Sequence, residues 1–125
     1  MAGFLKTKGC GNCLIHSKEG HNPLDDDVRI SIVMASRELC TLLGYKEKEI
    51  LGWTEKEIQN TIHPLERNGF MDGFVAALSD TSGEIHSFEC RIRNKSGYYK
   101  KINIALSSIK EEDGSGMTYA NLVEA

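Results

Sequence analysis

The sequence predicts an α+β domain in which short helices lie on one face of a five-stranded antiparallel sheet, and three observations carry that expectation. Apolar and polar residues alternate early in the chain, with Val28, Ile30, Ile32 and Met34 in phase. Apolar residues then recur at helical spacing, most clearly at Phe70, Met71, Phe74, Val75 and Leu78. After Ser82 and Gly83 the period returns to two, with short glycine-containing turns between successive runs. A chain of 125 residues, 40% hydrophobic and 26% charged, fits one domain with one core and room for one internal pocket.

The elements follow in order. Residues 1–11 are small, basic and glycine-containing and read as an N-terminal arm, and 12–17 as a short strand. Residues 18–27, with Gly20, Asn22, Pro23 and the triplet Asp25, Asp26 and Asp27, have loop composition. The β-branched run 28–35 is a half-buried strand. Ser36 then suits a helix N-cap, because its hydroxyl accepts from a backbone N–H one turn on. Leu39, Leu42 and Leu43 form that helix's apolar stripe, and Gly44 stands where a left-handed C-cap is expected. A second helix over 46–51 is expected to end at Gly52 in the same way. Thr54 and Glu57 have capping-box spacing for a third over 54–61. The longest helix, 64–78, begins with Pro64, where a missing N–H costs nothing. His86, Phe88, Cys90 and Ile92 share one face of the next strand, and 94–97 turns the chain. The run 98–109 carries Ile102, Ile104 and Leu106 on one face, 111–116 turns again, and 117–123 is the last strand.

Composition excludes several classes of function. A net charge of −3 supplies no basic face for sequence-independent nucleic-acid binding and disfavours anionic membrane surfaces. No apolar run approaches the roughly 18 residues of a spanning helix, and the first ten residues lack a secretory apolar stretch, so the expected location is cytoplasmic. The four cysteines are read as free, with Cys40 and Cys90 inside apolar patterns. Cys10, Cys13, His16 and His21 offer sulfur and nitrogen donors, but structural zinc sites split into two separated pairs. A strand over 12–17 would also point Cys13 and His16 to opposite faces, and Leu14, not histidine, follows Cys13 as a haem-attachment motif would require. No metal site is assigned. With no paired carboxylates, no nucleophile beside a base and no phosphate loop, the chain is not read as an enzyme.

Five fragments in order, Ile32-Val33-Met34-Ala35-Ser36, Leu43-Gly44-Tyr45, Glu49-Ile50-Leu51-Gly52, His63-Pro64 and Glu89-Cys90-Arg91-Ile92-Arg93-Asn94-Lys95-Ser96-Gly97, resemble the PAS domain family over residues 12–125. The resemblance implies a five-stranded antiparallel sheet with short helices, used as a sensor or dimerisation module without intrinsic catalysis. The light-oxygen-voltage branch holds flavin with the pattern G-x-N-C-R-F-L-Q. Here the run is Gly52-Trp53-Thr54-Glu55-Lys56-Glu57-Ile58-Gln59, in which only Gly52 and Gln59 match. Glu55 stands in place of the reactive cysteine and cannot form a thiol adduct, and Glu57 would repel a flavin phosphate. One haem-binding branch places an axial histidine before an Asp-Gly-aromatic step. Here Met71 precedes Asp72-Gly73-Phe74, and no histidine follows His63 on that helix. The cofactor is therefore left unassigned.

A pocket between sheet and helices is the default binding site. Its expected lining is Met34, Leu43, Ile58, Met71, Phe74, Phe88, Cys90, Ile104 and Tyr119, of which Met34, Met71 and Phe74 are read first of all as core. His86 is expected near the pocket or buried at its strand end, His63 in a capping role, and Trp53 over the pocket or on the surface. The leading functional reading is a signalling domain that binds a small apolar or aromatic ligand and relays it to an effector such as a kinase, a cyclase or a transcriptional output. The alternative is a ligand-free module that pairs with itself as a homodimer, or with an effector, through the outer sheet face and the arm.

Overall fold

The computed structural model describes residues 9–18 and 30–125. The arm over residues 1–8, His21, the aspartate triplet and Val28 lie outside the described residues. Strands β1 (Cys10–Ser17), β2 (Ile30–Ala35), β3 (Ser82–Arg93), β4 (Tyr99–Lys110) and β5 (Gly116–Glu124) form one antiparallel sheet in the order β2-β1-β5-β4-β3. The first and last strands therefore meet at its centre, while β2 and β3 form its edges.

Helices α1 (Arg37–Leu43), α2 (Glu47–Leu51), α3 (Glu55–Thr61) and α4 (Arg67–Ser79) connect β2 to β3. Ser36 caps α1, its Oγ accepting from the Leu39 N–H at 3.1 Å and from the Asn12 N–H of β1 at 3.0 Å, so one hydroxyl starts the helix and ties it to the sheet. Gly44 ends α1 at φ 81°, as the spacing predicts. Gly52 departs from expectation, ending α2 at φ −89°, where any residue would serve. Thr54 and Glu57 form the predicted capping box of α3. The predicted long helix is divided: Pro64–Glu66 is a 3-10 turn, with His63 Nδ1 accepting from the Leu65 N–H, and α4 proper begins at Arg67.

The core lies between these helices and one face of the sheet. Ile102, Ile104 and Leu106 of β4, Cys90 and Ile92 of β3, and Ala120 and Leu122 of β5 all point inward and are buried. Helix α1 lies directly on β1, because Gly11 has no Cβ and the space one would occupy is filled by the backbone of Leu39. Polar residues also enter this layer. Ser108 of β4 and Thr118 of β5 are almost fully buried and share a hydroxyl-hydroxyl hydrogen bond at 2.7 Å. Glu66 secures the edge of β3, its two carboxylate oxygens accepting from Arg91 N at 2.6 Å and Arg91 Nε at 2.9 Å.

Candidate functional site

Between sheet and helices lies an apolar cavity of about 70 Å3. Cys13 and Ile15 of β1, Ile32 of β2, Ile104 and Leu106 of β4, and Ala120 and Leu122 of β5 form its floor. Leu39 and Leu43 of α1, Ile50 of α2, Ile58 of α3, and Phe70 and Phe74 of α4 form its roof, with Trp53 at the joint between α2 and α3. The caps described above set this geometry. Ser36 phases α1 so that Leu39 and Leu43, one turn apart, both face inward, and the Thr54 box does the same for Ile58. Phe70 and Phe74 stack with centroids 5.4 Å apart, and the Phe88 ring meets Phe70 edge-on at 5.8 Å.

The cavity offers a ligand no polar handle. Its one hydroxyl, on Thr61, already donates to the Ile58 carbonyl at 2.6 Å. The Cys13 thiol is pushed up to about 12 by burial and stays protonated. Among the described residues the nearby histidines are engaged elsewhere: His63 packs on the Tyr99 ring at 4.8 Å, and His86 Nε2 lies 2.7 Å from Asp80 Oδ2. A flavin or a haem does not fit this lining, since sites for molecules of that size run to roughly 300 Å3 or more and place polar groups against them.

Of the residues expected to line the pocket, Leu43, Ile58, Phe74 and Ile104 do so. Cys90 is buried in the surrounding core, and Met71 and Phe88 pack half-buried against it. Two placements are corrected. Met34 is 38% and Tyr119 is 45% exposed, both on the outer sheet face. For Met34 the cause is a bulge: Leu14 pairs with Met34 but Ile15 with Ile32, so Val33 is extra and the alternation reverses after Ile32. For Tyr119 the cause is phase, because Thr118, Ala120 and Leu122 take the inward positions. Helical spacing alone points to two residues missing from that expected lining, since Leu39 and Phe70 precede Leu43 and Phe74 by one turn. Ala120 and Leu122 carried no such signal.

The outer face has its own organisation. Met34, Leu14, Tyr119, Ser107 and Ile85 are successive cross-strand partners and form a row across all five strands. Ile85, at the β3 end, is 70% exposed. The closely spaced Cys10 and Cys13 point to opposite faces of β1, one exposed and one buried.

No helix among the described residues is long and apolar enough to cross a membrane. No curated protein matches the chain. Solved structures are similar in fold. A fungal LOV domain photoreceptor gives a TM-score of 0.66 at 17% identity, covering 94% of this chain and 74% of that one. A variant PAS-B domain of Drosophila melanogaster Cycle, with bound glycerol, gives 0.63 at 14% identity, covering 90% and 97%. An RNA-binding light-oxygen-voltage receptor gives 0.61 at 15% identity over 93% of this chain, which spans only 29% of that receptor. A family model described as the PAS fold matches residues 32–119, most of the chain. Proteins of this kind are sensory and signalling modules rather than enzymes, and on that match, with the five-stranded sheet and its roof of short helices, the chain belongs to the PAS family.

Proposed function

We propose that this PAS domain reads a compact apolar ligand in the cavity and relays its presence through the sheet to an effector or a second copy of the chain. The carrying observation is that cavity floor and outer row belong to the same strands, one residue apart. Cys13 and Ile15 face the cavity while Leu14 between them faces out, and Ala120 faces the cavity while Tyr119 faces out. A shift of either strand to admit a ligand therefore moves the outer row, with no further element between.

The size of the cavity specifies what relay requires. A dry cavity of roughly 150 Å3 accepts benzene, and this one is about half that. A ring-sized ligand therefore binds only an expanded state, and that differential affinity is what a population shift needs. Thermal unfolding with and without saturating ethylbenzene tests the reading. We expect a raised Tm in the wild type, corresponding to about 2.7 kcal/mol at a hundredfold excess over Kd. Phe74→Trp, which fills the roof, should fold and lose at least about tenfold in affinity. An unchanged Tm across a series of small aromatic hydrocarbons, or unchanged affinity in Phe74→Trp, overturns the placement.

A further inference from the structure

Outside the cavity lies a solvent-open cleft of about 520 Å3 between the α2–α3 joint and strand β2, with Trp53 and Glu55 in its lining. Trp53 lines both this cleft and the apolar cavity, so this one residue stands between them. Neither helix carries it, for Gly52 ends α2 before it and Thr54 caps α3 after it. Its backbone N–H is fixed to the Ile50 carbonyl at 3.1 Å. Its ring leans edge-on against Tyr45 at 4.9 Å, and Tyr45 is anchored through its hydroxyl to the Arg93 carbonyl at 3.2 Å. A change of rotamer at Trp53 thus joins cavity and cleft without unfolding either helix.

Glu55 is half-buried at the cleft and forms no ion pair among the described residues. Burial raises its carboxyl pKa, and among the described residues no cation offsets it. Among the described residues, Lys18 is the other charged group lining the cleft, and it is exposed.

We infer that cavity and cleft are two halves of one site divided by Trp53, whose ligand is a compact aryl or alkyl amine with its apolar body in the cavity and its ammonium at Glu55. The inference rests on the cavity reading above and adds the route of entry and the polar end of the ligand.

Trp53 is the only tryptophan of the chain, so its fluorescence reports the wall directly. The test titrates ethylbenzene, 2-phenylethylamine and 3-phenylpropionate into the wild type and Glu55→Gln, following heat and Trp53 emission. The amine is expected to bind about tenfold tighter than ethylbenzene, the effect of one charge-assisted hydrogen bond, and to shift the emission. In Glu55→Gln the ratio of the two affinities should fall to near one. A preference for the propionate, a ratio that survives Glu55→Gln, or an emission that does not move overturns the inference. Ethylbenzene binding without preference for the amine overturns it while leaving the cavity reading intact, and no binding by any probe overturns both.

Discussion

Helix α4 contains two glycines, and the structure assigns opposite signs to their replacement by alanine. Gly69 is exposed, and a Cβ there meets nothing within 4 Å, so Gly69→Ala should collect the usual helix-propensity gain of about 0.5–1 kcal/mol. At Gly73 the same gain is opposed. A Cβ would stand 2.8 Å from Cδ1 and Cε1 of Phe88, inside the 3.4 Å at which ordinary contact begins. The ring must retreat by at least about 0.6 Å, yet its neighbour Phe70 is itself buried and stacked on Phe74. Overpacking of this kind costs about 1–3 kcal/mol, which exceeds the gain and leaves Gly73→Ala destabilised by about 1 kcal/mol. For a chain of this length that is a Tm lowered by about 4 °C, against a rise of about 2–4 °C for Gly69→Ala. Thermal unfolding of the two variants reads the difference. In a Phe88→Leu background the penalty at Gly73 should vanish, which assigns it to the ring. Equal stabilisation by both substitutions would refute the close approach of α4 to β3.

Three further outcomes follow from particular contacts. Asp80 is held at about 2, from an ordinary 3.8, by the Ser82 hydroxyl, by His86 and by the Ser82 N–H. Its stabilising contribution is therefore complete above the ordinary value and disappears as pH falls through about 2. Urea midpoints should accordingly separate wild type from Asp80→Asn at about pH 5 and converge near about pH 2, and a gap independent of pH would refute the assignment. Thiol labelling of the native chain should modify exposed Cys10 first. Cys13 and Cys90, both raised to about 12 chiefly by burial, should react only on unfolding, and rapid reaction of either would contradict the packed core. Tyr119→Lys places a charge in the outer row without touching the cavity lining. It should leave Tm nearly unchanged and, if the outer row is where two copies of the chain pair, remove any dimer the wild type forms in sedimentation velocity; dimers that persist in the variant would place the contact elsewhere.

What could be read in the sequence was whatever is set locally. Ser36, Gly44 and the Thr54–Glu57 box act within one helical turn, so residue type and spacing suffice to place the caps. The strand periods likewise announce themselves, because burial of one face writes an alternation into each run. The errors in the expected pocket lining concern which face is inward, and that is decided between strands. The bulge at Val33 exists only in the pairing of β2 with β1, so nothing in Ile32-Val33-Met34 alone shows that Met34 turns outward. In β5 the outward positions hold the large Met117, Tyr119 and Val123 beside Asn121, while the inward Thr118 and Ala120 are polar or small, so neither face is marked by its apolar content alone. Thr118 is tolerated inside because the β4–β5 register brings the Ser108 hydroxyl to it. Gly44 and Gly52 are the same residue at two helix ends, yet only Gly44 uses a positive φ.

The small size of the cavity bears directly on how such a domain signals. A ligand small enough for about 70 Å3 would bind the resting and expanded states alike, and equal affinity for two states shifts neither, however tight the binding. A ring-sized ligand is excluded from the resting state, so its whole binding energy is available to favour expansion, less the cost of opening the wall at Trp53. The same cost lowers apparent affinity by the fraction of molecules already open. A domain with a larger preformed cavity would bind more tightly and signal less. Substitutions that loosen Trp53 from Tyr45, such as Tyr45→Ala, should thus tighten ring binding while narrowing the ligand-dependent change at Tyr119. Titrations that follow ligand affinity together with a label at position 119 would see both effects, and tighter binding with an undiminished change at Tyr119 would separate the wall from the relay.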